Sequence, residues 1–250
     1  PYLSYVAPYK HYGNAYDSPT ALGLNWKQSH DMDGKGKKYT PIGGMYDYAK
    51  LDSNASLAVI ALFSSTYDGK SYNIKNINIQ TNTQCVGLFG VTFKATLENI
   101  ILYSDDDSSI IHENSSNWYC VGGLVGMAGI GNLSAGETAG TIRNCTVSGY
   151  TIVDNESVRP GWGGGCVGGL VGASTMNVDC CSAVTDINIH LTYSSGWMNT
   201  RVGGLVGCAR GSITNSYAGG SMRSTSDVNW GTYNDATNIW MGGILGGVVL

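Results

Sequence analysis

The stretch CVGGLVG runs from Cys120 to Gly126 and recurs letter for letter from Cys166 to Gly172. Three relatives share its pattern: CVGLFG at Cys85–Gly90, RVGGLVG at Arg201–Gly207 and WMGGILG at Trp240–Gly246. The apolar residue that follows the glycines is Leu88, Leu124, Leu170, Leu205 or Ile244, with successive spacings of 36, 46, 35 and 39 residues. Self-similarity at periods of roughly 20–50 residues marks a chain of stacked units, each too small to bury its own apolar side.

A second signature follows each of the first four copies. It reads ATLENIILY from Ala95, GTIRNCTVSG from Gly140, MNVDCCSAV from Met176 and GSITNSYAGG from Gly211, and YNIKNINIQ from Tyr72 reads as an earlier copy. Between the two signatures one unit carries an insertion, GIGNLSAGETA, which places variable loops on one side of the stack. The units are short runs rich in Val, Ile and Thr, bounded by Gly, Asn and Asp, which are strand and turn signals. No segment sustains a helical apolar period. The expected fold is all-β: a parallel, right-handed β-helix or solenoid of about five repeats. Leu88, Leu124, Leu170, Leu205 and Ile244 should form one inward file, with strands about 4.8 Å apart. The glycines are expected to allow close backbone approach and positive φ at corners. Residues 1–50 read as a Tyr-rich lead-in and cap, and residues 51–250 as solenoid repeats that continue beyond the C-terminus. Beginning at Pro1 and ending in mid-pattern, the chain reads as a processed or truncated piece of something longer.

Composition narrows the classes. Charged residues are 13% of the 250, against a usual share of about 25%, and glycine is abundant at 36. A net charge of −4 with no Lys/Arg cluster argues against a nucleic-acid partner. No apolar run approaches the roughly 18 residues of a membrane span, so membrane insertion is not expected.

VGGLVG followed by TIRNC or SITNS resembles the GLUG motif repeat of bacterial surface and secreted proteins, and the lead-in LNWKQSHDMDGKGKKYTPIGG with TYDGKSYNIKNINI is similar to the segment that opens such arrays. The resemblance covers Leu22 to Leu250. It implies a parallel β-solenoid outside the cell or on its surface. It implies nothing specific about activity, because the motif occurs in adhesins, surface filaments and accessory regions of large secreted enzymes.

The chemistry-bearing residues each admit a structural reading beside a functional one. Five of the seven cysteines fall into register. Cys85, Cys120 and Cys166 share one repeat position, and Cys145 and Cys181 share another. They are small buried hydrophobes in a ladder, or they hold a cross-coil bridge, for which Cys145–Cys181 is the candidate pair. No His shares their register, which argues against a catalytic thiol, and the four His cluster with nothing in sequence. Asn76, Asn99, Asn144 and Asn215 align, with Cys180 at the same position in the remaining copy, and read as corner-holding residues. Asp105, Asp106 and Asp107 are a candidate calcium cluster, since hard cations want grouped oxygens; no other cofactor is expected. Counting from the strand heads puts Asp105 and Asp186 on one face with Tyr150 between them, about 9.6 Å apart, at the outer edge of the separation in an inverting glycosidase. The match to a phosphate fingerprint at Gly163, Gly165 and Gly168 opens no helix and is discounted. Trp118, Trp162, Trp197 and Trp230 come with the inserted loops, where they pin loops to the solenoid or present rings to a ligand. Asn114, Asn132 and Asn155 open glycosylation sequons in expected loops.

The function expected from the sequence is an extracellular structural or adhesive repeat module, a surface adhesin or filament component, with no enzymatic activity. Its partners are other copies or flanking domains at the open solenoid end, and glycans or host surface proteins on its face. The alternative is a carbohydrate-active β-helix enzyme or the carbohydrate-binding accessory region of a larger secreted enzyme.

Overall fold

The computed structural model describes residues 7–10, 25–45, 59–113, 118–129, 139–156, 162–191, 197–226 and 237–248. Among these, every regular element is a strand, and the chain winds repeatedly through the same four walls. The first wall stacks Asn25–Lys27, Thr66–Asp68, Ala95–Glu98, Gly140–Arg143, Asn177–Asp179 and Ile213–Thr214 as parallel neighbours. The second holds Met32–Lys38, Asn73–Thr81, Thr146–Glu156 and Ser182–Leu191, with the split strands Ile101–Tyr103 and Ser109–Glu113, and Tyr217–Gly219 and Met222–Ser226. The third comprises Cys85–Val86, Trp118–Gly122, Trp162–Gly168, Trp197–Gly203 and Thr237–Gly242, and the fourth Phe89–Thr92, Val125–Ala128, Val171–Ser174, Val206–Ala209 and Leu245–Val248. The third and fourth walls are the two limbs of an arch whose bend is the glycine motif.

Period-2 alternation decides what faces the bore. On the first wall Tyr67, Leu97, Ile142 and Val178 are buried, while their chain neighbours Thr66, Thr96, Thr141 and Asn177 face outward. The leucines form the expected file. The Leu124 N–H donates to the Leu170 carbonyl at 2.9 Å, Leu170 to Leu205 at 2.9 Å and Leu205 to Ile244 at 3.1 Å. All four leucines are buried. One winding supplies little core, but the column of windings encloses a continuous one.

The arch explains why glycine recurs. The Cβ position of Gly126 lies 2.5 Å from Val86 N, and that of Gly172 lies 2.6 Å from Val121 N and from the Gly126 carbonyl oxygen. The return limb of one winding therefore presses against the backbone of the winding before it, at a distance no side chain permits. Neither glycine has positive φ, so their role is close approach alone. Positive φ is taken by other glycines, among them Gly129, Gly140 and Gly149, and at the first corner by Asn99, Asn144, Cys180 and Asn215, with φ between 49° and 55°. Asn tolerates this region because its short amide bonds locally.

Two expectations about register change. Asn76 does not join the other asparagines. The strand Ala95–Glu98 pairs with Thr66–Asp68, and Ile101 pairs with Asn73, so Asn76 belongs to the corner inside the second wall, where Gly149 and Gly220 also have positive φ. YNIKNINIQ resembles ATLENIILY in alternating apolar and polar residues, yet it lies on the second wall, whereas ATLENIILY turns from the first wall onto the second. The winding also starts before residue 51, since Asn25–Lys27 and Met32–Lys38 are already in register with the following winding. At this end Ile42 bridges to Phe89 and Phe63 to Thr92, beside a small antiparallel sheet of Ala7–Lys10, Val59–Leu62 and Gly44–Met45. Of the tyrosines of residues 1–50, Tyr39 packs against the bore; the side chains of the other seven lie outside the described residues.

Candidate functional site

Where the second wall hands over to the third, the bore lining becomes polar. His112 and Asp154 are directly paired on neighbouring windings, and both are 0% exposed. Their strands read SIIHE and TIVDN, so His112 and Asp154 continue the inward phase of Ile110 and Ile152. His112 Nδ1 and Asp154 Oδ1 are hydrogen-bonded at 2.7 Å, and the imidazole stacks on the Tyr119 ring with centroids 4.8 Å apart. Tyr119 fits because the residue opposite it in the next winding is Gly165, whose Cβ position its ring occupies. The Tyr119 hydroxyl meets Thr200 Oγ1 at 3.2 Å one winding further on. His112 Nε2, Asp154 Oδ2 and the nearby Gln84 Oε1 are buried without a hydrogen-bond partner. Burial pushes the Asp154 carboxyl up, against the pull of His112. The sequence reading found no partner for any His. The signal was the inward phase of both residues, legible once the register of the two strands is known.

The cysteines behave differently from expectation. Cys145 and Cys181 stand opposite each other, one before the paired residues Thr146 and Ser182, and both are free thiols. The bridge is Cys166–Cys208, with Cα atoms 5.6 Å apart. Residues paired directly across a parallel ladder carry side chains that run side by side rather than toward each other. The Cys145 and Cys181 thiols lie beside each other, and each also reaches a main-chain carbonyl, that of Arg143 or Asp179, at 3.1 Å. Burial pushes the Cys145 thiol up. Cys166 and Cys208 meet diagonally across the two limbs of the arch, in a small cluster outside the main bore with Cys85, Val91 and Cys120. The same diagonal relates Cys120 to Ala173, because Cys120 pairs with Cys166 and Ala173 with Cys208. Ala173→Cys is therefore expected to close a second bridge with Cys120. Mass spectrometry should show a loss of two hydrogens and no fall in the Cys145 and Cys181 thiols; a free thiol at the substituted position after oxidative refolding contradicts the diagonal rule.

The file at the first corner carries side-chain ties. Asn144 Nδ2 donates to Asn99 Oδ1 at 2.7 Å, and Asn99 Nδ2 to Asp68 Oδ1 at 2.9 Å. Cys180 interrupts the file, and Asn215 donates to Asp179 instead. Cys180 sits at φ 52° without an amide to compensate. Cys180→Asn should stabilise the fold by about 1 kcal/mol, read from urea midpoints; a neutral or negative effect removes the reason given for the file. Asp68 anchors its lower end. Burial alone raises its carboxyl, but the Asn99 amide, the Lys70 ammonium and the Lys70 N–H outweigh that and hold it at about 2. The folded value lies below the unfolded value of about 3.9. Its stabilisation is therefore present above pH about 4 and lost as pH falls toward 2. Denaturant melts between pH 5 and 2 should show a decline that is shallower in Asp68→Asn.

The acidic candidates separate. Asp186 shares a file with Thr151 and Ser109, not with Asp105. Residues 104–108 stand where Gly149 and Tyr150 stand in the next winding, so a count from the strand head slips. Tyr150 points into the bore, where its hydroxyl accepts the Ile77 N–H at 3.1 Å. Asp105 is held by Asn76 and Lys75, Asp106 caps its own turn through Ser104 and Ser108, and Asp107 is exposed. Among the described residues no three His, Cys, Asp or Glu side chains converge to hold a metal ion. Trp118, Trp162 and Trp197 open third-wall strands, and the Trp162 backbone pairs with that of Trp197 and the Trp118 backbone with Gly164. Trp230 lies outside the described residues, as do Asn114 and Asn132. Asn155 bonds Glu113 across the second wall.

None of the curated proteins and none of the solved structures matches the chain. The family described as the GLUG motif matches residues 198–222, the winding that holds RVGGLVG, the Cys208 half of the bridge and the Asn215 corner. Residues 198–222 thus match the GLUG motif, and the same glycine pattern recurs in the neighbouring windings around one bore.

Proposed function

We propose that this chain is a structural or adhesive repeat module that works outside the cell and is not an enzyme. The observation that carries the reading is the parallel stack of windings, which gives the first wall an outward face of repeated chemistry. On the first wall Asn25, Thr66, Thr96, Thr141 and Asn177 form an outward file of amides and hydroxyls at strand spacing. Beside it run Asp68, Glu98, Arg143 and Asp179, with Arg143 and Glu98 ion-paired across windings. A rigid, regularly spaced polar surface suits contact with an extended glycan or a protein partner. The Cys166–Cys208 bridge supports a location where disulfides persist. The test is a panel of polysaccharides and surface proteins assayed for both binding and turnover. Binding without turnover is expected, and is weakened by Thr96→Lys on the outward file. Polysaccharide cleavage that is lost in Asp105→Asn or Asp186→Asn overturns the reading in favour of a carbohydrate-active enzyme.

A further inference from the structure

Cys145 and Cys181 occupy equivalent places on successive windings, each just before a paired ladder residue, Thr146 or Ser182. Their surroundings repeat as well. The Cys145 thiol meets the carbonyls of Arg143 at 3.1 Å and Leu97 at 3.7 Å. The Cys181 thiol meets those of Asp179 at 3.1 Å and Ile142 at 3.6 Å. Arg143 pairs with Asp179, and Leu97 with Ile142. One side chain is therefore the other moved by a single winding, and the two sulfurs are separated by the strand spacing, about 4.8 Å. A disulfide needs its sulfurs about 2.05 Å apart. The repeat that aligns these thiols also keeps them from bonding to each other.

The same separation suits a metal ion. A metal–thiolate bond is about 2.3 Å long, so two in line span about 4.6 Å. Paired thiolates select soft ions such as copper(I). We propose that Cys145 and Cys181 form a two-coordinate site for a soft monovalent metal ion of the copper(I) class, held in line between their sulfurs. No electron is transferred: two S–H protons leave to solvent as two metal–sulfur bonds form. In-line coordination needs no third ligand, in keeping with the lack of a three-residue cluster among the described residues.

The main chain supports the anionic sulfurs. Burial opposes ionisation of Cys145, but main-chain hydrogen bonds at Ile100 and Arg143 favour it. The Cys145 thiol, and then the main chain at Cys145 and Asp179, hold the Cys181 thiol below its ordinary value. The other free paired thiols, Cys85 and Cys120, differ, because burial and the Cys85 thiol both push Cys120 up. The first corner also gives an approach. Cys181 is buried one residue inside it, and its neighbours Arg143, Asn144 and Cys180 are exposed.

The test uses the full chain with Cys180→Asn, which removes the exposed thiol and keeps the pair. Copper(I) is supplied without oxygen from its bathocuproine disulfonate complex, with the Cys166–Cys208 bridge intact. One copper per chain is expected, and X-ray absorption should show two sulfur neighbours. Cys145→Ala and Cys181→Ala should each lower affinity at least about tenfold. The double variant Cys85→Ala with Cys120→Ala should bind as its parent does. The absorption spectrum of the parent decides the coordination even where a variant melts early. No copper retained against the chelator, or three or more sulfur neighbours, overturns the proposal. So does copper that survives Cys145→Ala and Cys181→Ala but is lost without Cys85 and Cys120, and so does a Cys145–Cys181 disulfide in a peptide map of the untreated protein. The outward file of the first wall takes no part, so failure here leaves the glycan and protein panel unaffected.

Discussion

Gly172→Val is expected to unfold the arch rather than loosen it. A Cβ at this position meets Val121 N, the Gly126 carbonyl oxygen and the Cys120 carbonyl carbon, all within 2.9 Å. All three belong to main chain held in parallel ladders on both sides. A flexible side chain could swing away; these atoms cannot move without breaking the ladder. Gly172→Ala should already cost about 3 kcal/mol, and valine more, at the upper end of what overpacking does. Gly219→Ala is the control. Its Cβ would meet only Val184 methyl groups, at 3.7 and 3.8 Å, and the change should stay within about 0.5 kcal/mol. Urea unfolding of the three proteins decides the matter. Equal costs at the two glycines contradict the account of the arch.

The second large effect is expected at the polar handover in the bore. Asp154→Ala leaves His112 buried with neither ring nitrogen partnered, and should cost about 3–5 kcal/mol, the usual result of stripping one member from a fully enclosed pair. The double variant His112→Leu with Asp154→Leu should recover most of that loss, because buried ionic pairs replaced by apolar residues are often neutral or stabilising. A double-mutant cycle measures the coupling directly. Additive losses in the cycle contradict a paired interaction between the two. The pair is enclosed on every side and the Tyr119 ring lies against it, so its consequence is for the alignment of windings. It ties neighbouring windings to each other through His112 and Asp154, and windings two apart through Tyr119 and Thr200.

Both effects have the same origin. Each winding packs mainly on its neighbours, so a misfit at one level interrupts a file that runs the length of the bore. The same reasoning makes Cys180 a weak rung.

The repeat itself was legible from the letters. Identical glycine motifs at near-constant spacing placed Leu88, Leu124, Leu170 and Leu205 in one file, and β-branched runs between turn residues made that file part of a parallel stack. These features are local and periodic, so they survive without knowledge of what touches what. Register is different, because it depends on how many residues each corner absorbs. The loop Ser104–Ser108 takes the place of Gly149–Tyr150, and that slip parted Asp105 from Asp186. Asn76 resembled its fellows in sequence while lying on another wall. The bridge went to Cys166 and Cys208 because a disulfide needs side chains that point at each other, a property of the arch's diagonal that no spacing reveals. His112 and Asp154, 42 residues apart, became partners only when two strands were laid side by side. Sequence determined the repeating unit and what it buries; the tertiary structure alone decided which polar atoms meet, because hydrogen bonds and disulfides act over a few ångströms and the offset between windings sets those distances.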